Sequence, residues 1–175
     1  MPDNFPITLE TPRLLLRPMQ AEDTEALLTI FSEPKVMASF GVAPFTREQM
    51  ERWVQRNLEH QVQFGYGLFS VILKSSGMLI GDCGLERMEL DGIVAEELGY
   101  DFRSDHWNQG FATEAASAVR DYAFQNLRRP QLISLIRVGN QASRRVAEKI
   151  GMQLVEEILR YGQPYWKYAM TALPG

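Results

Sequence analysis

The chain has 175 residues, 45% of them hydrophobic and 23% charged, values that suit a single folded domain over residues 1–175. Its 18 basic and 22 acidic residues leave a formal net charge of −4, so no strong basic field favours nucleic acid as the main partner. A single cysteine, Cys83, excludes an intrachain disulfide and fits a reducing compartment, so we expect a cytoplasmic protein.

The first half of the chain predicts one strand, two helices and three further strands. Residues 1–6 lack the pattern of a signal peptide, and no apolar run approaches the roughly 18 residues that span a membrane. Prolines bracket a strand at 12–18, and apolar spacing predicts a short helix over 26–31 that Pro34 ends. A capping box at Thr46 begins a second helix. Turn residues then separate strands at 68–74, 78–88 and 93–102, for which an antiparallel meander is the simplest arrangement.

The second half predicts a helix over 110–126, a strand over 132–138, a helix over 142–150 and two last strands, at 152–160 and 165–173. Gly151 is placed to end the second of these helices in the left-handed conformation. The strand–helix–strand unit from 93 to 138 indicates a crossover with parallel strands. We therefore expect an α+β fold, a mixed and mostly antiparallel sheet of about seven strands flanked by helices.

The stretch His106-Trp107-Asn108-Gln109-Gly110-Phe111-Ala112-Thr113-Glu114 passes from an extended run through a polar turn into a helix. A helix start carries unpaired backbone N–H groups and a partial positive charge, and small residues such as Gly110 and Ala112 let an anion approach them. The motifs of the Walker loop and of the dinucleotide-binding fold are both absent. The stretch is therefore a candidate anion site, although tight packing of a helix against a strand also explains it.

A second motif, Asn140-Gln141-Ala142-Ser143, follows the next strand directly. Taken alone, Asn140 is best explained as a helix N-cap. Combined with Thr11-Pro12-Arg13-Leu14-Leu15-Leu16-Arg17-Pro18, Leu79-Ile80-Gly81, Glu97-Leu98-Gly99-Tyr100, Gly110-Phe111-Ala112-Thr113-Glu114-Ala115 and Lys149-Ile150-Gly151, it resembles the GNAT superfamily of acyl-CoA-dependent N-acyltransferases. The RimJ/RimL-type branch is the most similar, and the resemblance covers nearly the whole chain.

The resemblance implies acetyl-CoA as co-substrate, bound where two parallel strands splay apart. Its loop motif falls on residues 107–112, so the backbone N–H groups of Gln109, Gly110, Phe111, Ala112 and Thr113 would hold the pyrophosphate. The strand edge from Tyr100 to Phe102 would pair with the pantetheine arm. Asn140 would bond the pantetheine region, and Ser143 would lie near the thioester sulfur. The 3′-phosphate would meet one of four basic residues, Arg103, Arg144, Arg145 or Lys149.

The chain departs from the family pattern at three positions. Trp107 stands where Arg or Gln is usual, although aromatic residues are familiar there in the RimJ/RimL-type branch. Gln109 replaces a frequent Lys or Arg and removes one positive charge from the pyrophosphate site, and Met152 replaces a common Phe. The first two departures bear on coenzyme affinity rather than on the fold.

Glu97 is the candidate general base, acting through water on the acceptor amine, and Ser143 is the candidate proton donor to the thiolate. The alternatives are a structural carboxylate at Glu97 and a Ser143 hydroxyl that only hydrogen-bonds the sulfur. No metal is expected, since two histidines and one cysteine are too few for a His/Cys zinc site.

The acceptor is a protein N-terminal amine or a small-molecule amine, with specificity expected in the helices of 19–65, the loop 88–92 and the turn 160–165. Neither nucleic acid nor membrane is an expected partner, and the chain is expected to be a monomer or a homodimer. Two alternative functions are a non-catalytic CoA-binding sensor and an interaction module with an empty cleft.

Overall fold

A computed structural model describes residues 7–173 and shows one eight-stranded sheet with helices on both faces. The expectation about a signal peptide at residues 1–6 lies outside the described residues. In chain order the strands are β1 (Leu9–Glu10), β2 (Leu14–Pro18), β3 (Leu68–Leu73), β4 (Met78–Leu90), β5 (Ile93–Phe102), β6 (Gln131–Arg137), β7 (Gln153–Arg160) and β8 (Gln163–Thr171). The α-helices are α1 (Thr24–Phe31), α2 (Pro34–Ala38), α3 (Arg47–Phe64), α4 (Phe111–Gln125) and α5 (Gln141–Lys149).

The strands lie in the order β1-β2-β3-β4-β5-β6-β8-β7. The predicted meander is confirmed, because β3, β4 and β5 pair with their neighbours in antiparallel fashion. The predicted crossover is confirmed as well, since β5 and β6 are the parallel pair and α4 connects them. Their register contains one residue pair, Glu97 opposite Ile133, beside seven pairs between β6 and β8. The sheet is therefore weakly joined at this one seam.

Two elements were not predicted from the sequence. The first is β1, two residues long, which pairs with β2 and brings the strand count to eight rather than seven. The second is α2, whose first residue is Pro34. Proline suits the first turn of a helix because its missing N–H has no intrahelical partner there. Pro34 thus begins a helix rather than ending the preceding one, which stops at Phe31.

Alternating residues of the strands build two separate cores. Phe69 belongs to a core that includes α4 and α5, whereas its neighbour Leu68 belongs to a core formed with α1, α2 and α3. Since successive side chains of a strand point to opposite faces, the two helix groups cover opposite faces of the sheet. Cys83 is fully buried in the first core, as the sequence predicted, and burial raises the pKa of its thiol.

Local signals set the ends of the longer helices. The capping box of α3 is confirmed, with Thr46 Oγ1 accepting from the Gln49 N–H at 3.2 Å and Gln49 Oε1 accepting from the Thr46 N–H at 2.8 Å. Gly151 follows α5 with a φ of 98°, so its predicted left-handed conformation is also confirmed. No helix among residues 7–173 is long and apolar enough to cross a membrane.

A buried ion pair ties β2 and β3 to the turn before α1. Asp23, 5% exposed, accepts two bonds from the Arg17 guanidinium, at 2.8 and 2.6 Å. It also accepts from Ser70 Oγ at 2.7 Å and from the Gln20 N–H at 2.9 Å. Four donors on one carboxylate satisfy its lone pairs, which is what allows the charge to be buried.

Replacing Asp23 by Ala is expected to destabilise the protein by about 3–5 kcal/mol, because Arg17 and Ser70 lose their partner in a buried place. Chemical denaturation followed by circular dichroism measures this loss. The neighbouring change Glu22→Ala removes the same charge from an exposed position and is expected to stay within about 0.5 kcal/mol of wild type. Equal stabilities for the two variants would contradict the role assigned to Asp23.

Candidate functional site

A cavity of about 750 Å³ lies between α2, the carboxyl end of β5 and the amino ends of α4 and α5. Most of the sequence-predicted site residues meet there, although they come from separate parts of the chain. Those that line it are Tyr100, Phe102, Gly110, Phe111, Ala112, Thr113, Asn140 and Ser143. Gln109 and Glu97 are not among the lining residues.

The amino end of α4 presents unpaired backbone donors to this cavity. Gly110 precedes the helix with a φ of 83°, a conformation that favours glycine, and no side chain caps the helix there. The first intrahelical bond is donated by the Glu114 N–H, to the carbonyl of Gly110 at 3.0 Å. The N–H groups of Phe111, Ala112 and Thr113 are therefore left for a ligand, and the helix dipole makes that ligand an anion.

Arg13 on the segment before β2 braces this helix start. Its Nε donates to Glu114 Oε2 at 2.7 Å, and its Nη1 donates to the Gln109 carbonyl at 2.9 Å. Thr11 Oγ1 adds a bond to Glu114 Oε1 at 2.6 Å. The guanidinium also lies 4.3 Å from the centre of the Phe111 ring. Because the Gln109 carbonyl is held by Arg13, the turn before the helix has one defined orientation.

Glu97 and Ile133 are the single backbone pair between β5 and β6 among the described residues. Next to this pair, hydrogen bonds from or to side chains connect the two strands. Ser134 Oγ donates to the Leu98 carbonyl at 2.7 Å, and the Leu135 N–H donates to Glu97 Oε1 at 3.3 Å. No further backbone pair joins β5 to β6 in the described chain. The edge of β5 from Tyr100 to Phe102 thus borders the cavity with its ladder to β6 ended, which is the splayed arrangement expected for the cofactor site.

Glu97 has two properties that bear on its predicted role. Burial and the nearby charge of Glu86 raise its pKa to about 7, although the charge of Arg160 and the bond from the Leu135 N–H act in the opposite direction. A carboxyl group with this pKa exchanges protons readily near neutral pH. Its bond to Leu135 also gives it a structural role at the base of the split, so the two interpretations of Glu97 are compatible.

The motif Asn140-Gln141-Ala142-Ser143 forms the amino end of α5. Asn140 Oδ1 accepts from the Ser143 N–H at 3.1 Å, so Asn140 is the N-cap of α5. Within residues 7–173 its amide nitrogen has no hydrogen-bond partner, and the residue lines the cavity. The Tyr100 hydroxyl donates to the Ser143 carbonyl at 2.7 Å and so ties α5 to β5 across the opening.

The four basic residues considered for the 3′-phosphate differ in whether an acidic side chain already pairs with them. Arg103 is paired with Asp105 at 2.9 Å, and Arg144 is paired with Glu148 at 2.9 Å. Arg145 and Lys149 line the cavity, and neither has an ion-pair partner in the described part of the chain. The two unpaired cations are therefore better placed for an anion than the two paired ones.

Two features of the site were missed by the sequence analysis. Helix α2 forms one wall, to which Lys35, Val36 and Ala38 contribute, and the signal for it was Pro34 as a helix start. The second is Asp101, which lines the cavity from β5. Asp101 was visible in the sequence as a third acidic residue of this strand after Glu96 and Glu97, but its partners depend on the register between strands.

Of the three regions expected to set acceptor specificity, the segment 19–65 supplies the α2 wall. The segments 88–92 and 160–165 contribute no residue to the lining. In residues 7–173 no group of three or more His, Cys, Asp or Glu side chains is arranged to hold a metal ion.

Comparison with known proteins gives one family match, to the model described as "Acetyltransferase (GNAT) domain", over residues 13–153. The chain is 34% identical to the uncharacterized protein YkkB of Bacillus subtilis, covering 94% of this chain and 96% of that protein. An acetyltransferase structure from Agrobacterium tumefaciens superposes with a TM-score of 0.82 at 31% identity, over 95% of this chain and 96% of the other.

A RimL ribosomal L7/L12 alpha-N-protein acetyltransferase in complex with coenzyme A superposes with a TM-score of 0.78 at 18% identity. That match covers 95% of this chain and 98% of the other. At this identity the likeness concerns the fold.

The raised pKa of Glu97 predicts a pH dependence of stability. An unfolded Glu has a pKa of about 4.3, so the fold favours the neutral carboxyl, and this stabilisation is lost as pH rises from about 4 through about 7. Glu97→Gln removes the ionisation but keeps an acceptor for the Leu135 N–H. We expect the melting temperature of this variant to exceed that of wild type at pH 8, and the difference to shrink at pH 5.

The matched control is Glu89→Gln, which removes the same charge from an exposed position on β4. Differential scanning calorimetry at the two pH values measures both variants against wild type. If Glu97→Gln and Glu89→Gln show the same pH dependence, burial of the Glu97 charge is not the cause.

Proposed function

The chain belongs to the GNAT acetyltransferase family, and on this basis we propose that it transfers an acetyl group from acetyl-CoA to a primary amine by direct attack on the thioester. The observation that carries the proposal is the meeting of two features in one cavity. These are the uncapped amino end of α4 and the edge of β5 beyond its last pair with β6. The first suits a pyrophosphate and the second suits an extended amide-bearing chain.

In this proposal the backbone N–H groups of residues 110–113 bind the pyrophosphate, and the braced turn fixes their direction. The pantetheine arm lies along Tyr100–Phe102 and takes the place that a paired strand would have. Asn140 donates its amide N–H to the same arm while its oxygen caps α5. Ser143, one turn further on, lies beside the sulfur and protonates or hydrogen-bonds the departing thiolate.

For the chemistry, we propose that Glu97 accepts a proton from the acceptor amine through water, consistent with its pKa of about 7. Holding amine and thioester together contributes up to about 7–11 kcal/mol to lowering the barrier in good geometry. A positioned base adds about 10²–10⁴-fold. A backbone N–H of the β5 edge polarises the thioester carbonyl.

The acceptor in this proposal is a protein N-terminal amine or a small-molecule amine, as the RimJ/RimL-type motifs imply. We further propose that residues 1–175 act as one catalytic domain, as a monomer or homodimer, in the cytoplasm. The single, buried cysteine supports that location.

We expect acetyl-CoA at about 100 times its dissociation constant to stabilise the protein by about 2.7 kcal/mol, and free thiol to be released with a reactive amine.

Ser143→Ala is expected to lower turnover without loss of the fold. Asn140→Ala loses one hydrogen bond, so acetyl-CoA affinity is expected to fall about threefold to tenfold. Thermal shift and thiol release across a panel of peptides and amines measure these effects.

Asn140→Ser is the matched control, because a serine oxygen keeps the cap of α5 but loses the amide donor. Asn140→Ser is expected to regain the stability that Asn140→Ala loses, but its affinity for acetyl-CoA is expected to stay low. Stabilisation without thiol release on the whole panel would favour a CoA-binding sensor, and absence of any stabilisation would contradict coenzyme binding.

We propose that Arg145 and Lys149 bind the 3′-phosphate. Losing a charged hydrogen bond costs about 1.5–3 kcal/mol, so Arg145→Ala or Lys149→Ala should reduce the preference for CoA over 3′-dephospho-CoA by about 10- to 100-fold. Arg144→Ala, whose cation is already paired with Glu148, serves as the control. Competition binding of the two coenzymes measures the preference, and an unchanged ratio in both test variants would refute the assignment.

A further inference from the structure

Two aspartates face each other across β4 and β5 beside the cavity. Asp82 lies directly opposite Asp101 in the antiparallel register. Asp82 is fully buried, and neither of its carboxyl oxygens has a hydrogen-bond donor among the other described residues. A buried carboxylate with no donor is costly, so the pair is stable when one proton is shared between the two groups.

Asp101 is the member of the pair that borders the cavity. Both aspartates lie on the face covered by α1, α2 and α3, because their neighbours Cys83 and Phe102 belong to the core on the other face. Gly99 lies on the same face between Asp101 and Glu97, and a side chain added there would meet no atom within 4 Å. There is therefore open space at Gly99 between two carboxyl groups.

The proton distribution in the pair follows from burial. Burial and the charge of Asp101 raise the pKa of Asp82 well above its usual value. Burial, together with the charges of Glu86 and Glu97, raises the pKa of Asp101 to about 7, while a proton shared from Asp82 acts to lower it. The proton of the pair therefore belongs mainly to Asp82, and Asp101 exchanges its own with the cavity near pH 7.

We propose that Asp101 is a further catalytic residue, which takes the proton from the ammonium group of the acceptor in place of Glu97, and that Asp82 is a positioning residue that holds Asp101 through the shared proton. This inference rests on the proposed acetyl transfer. It extends the site to a residue on the acceptor side of the split that the family motifs in the sequence do not include.

The acceptor ammonium gives one proton to the Asp101 carboxylate, and the freed lone pair forms the C–N bond at the thioester carbonyl carbon. The C–S bond then breaks, and the second proton of the nitrogen passes to the CoA thiolate. The products are the acetyl amide, CoA as free thiol and one proton on Asp101, which is released to solvent before the next turnover.

Glu97 is less well placed than Asp101 to accept a proton from an amine in the cavity. Its carboxyl group is engaged by the Leu135 N–H and does not line the cavity. Its charge raises the pKa of Asp101, which keeps that residue basic enough to accept a proton near neutral pH. The charged and titratable groups that act on Asp101 are Asp82 and Glu86 on β4 and Glu97 on β5, and Lys35 on α2 and Arg137 on β6 line the same cavity.

The test is the pH profile of kcat/KM, measured by thiol release with an amine that wild type acetylates. Wild type is expected to rise to a plateau with a midpoint near pH 7. Asp101→Asn is expected to lose about 100-fold or more, while its thermal shift with acetyl-CoA stays that of wild type. That shift also shows that the variant is folded.

Three further variants separate Asp101 from Glu97. Asp82→Ala removes a bond that lowers the pKa of Asp101, so the midpoint moves to higher pH, and Asp82→Asn moves it back toward wild type. Glu97→Gln removes a charge that raises the same pKa, so the midpoint moves to lower pH and activity is only partly lost. Asp82 does not contribute to the pKa of Glu97, so a base at Glu97 would leave the midpoint of Asp82→Ala unchanged.

Retention of kcat/KM within threefold of wild type by Asp101→Asn, or its loss only in Glu97→Gln, overturns the inference. An unchanged midpoint in Asp82→Ala overturns the role of Asp82. Failure of wild type to release thiol with any amine would overturn the acetyl transfer itself. That outcome is seen before any variant is made, so the two failures are distinguishable.

Discussion

The early end of pairing between β5 and β6 is the constraint on which the rest of the site depends. Two parallel strands in the middle of a sheet would normally continue their ladder, but here it contains one residue pair. Ser134 and Glu97 bond two backbone groups at the base of the opening, the Leu98 carbonyl and the Leu135 N–H, and so compensate for part of the lost ladder.

The helices around the opening follow from the same geometry. Helix α4 is the crossover between the two separating strands, and α5 follows the second of them, so the amino ends of both helices lie at the split. The Arg13–Glu114 pair then fixes the start of α4 against β2, on the far side of the sheet order from β6. An anion site and a strand edge are thus brought to one cavity by topology, and rigid contacts hold them there.

Removing carboxyl groups from water costs folding free energy, and this protein compensates for that cost in one place but not in another. Asp23 is buried with four donors, and its burial holds the fold together. Asp82 is instead buried beside the half-buried Glu97 and Asp101, and the pKa values of all three are raised because few donors compensate for desolvation and like charges. Such carboxyl groups weaken the folded state at high pH but hold protons that exchange near neutral pH, a property useful at a reaction centre.

The sequence by itself determined most of the helices and strands, because those signals are local, and its resemblance to the family implied where the coenzyme would bind. Capping at Thr46, the turn at Asp91 and Gly92, the helix end at Gly151 and the strand–helix–strand crossover depend on residues close together in the chain. The tertiary structure alone decided the register that sets Asp82 against Asp101, the position of α2 as a cavity wall and the choice of unpaired cations. These features depend on which residues from distant parts of the chain come into contact and on how burial shifts their pKa values. The spacing of residues along the chain predicts neither the contacts nor the pKa shifts.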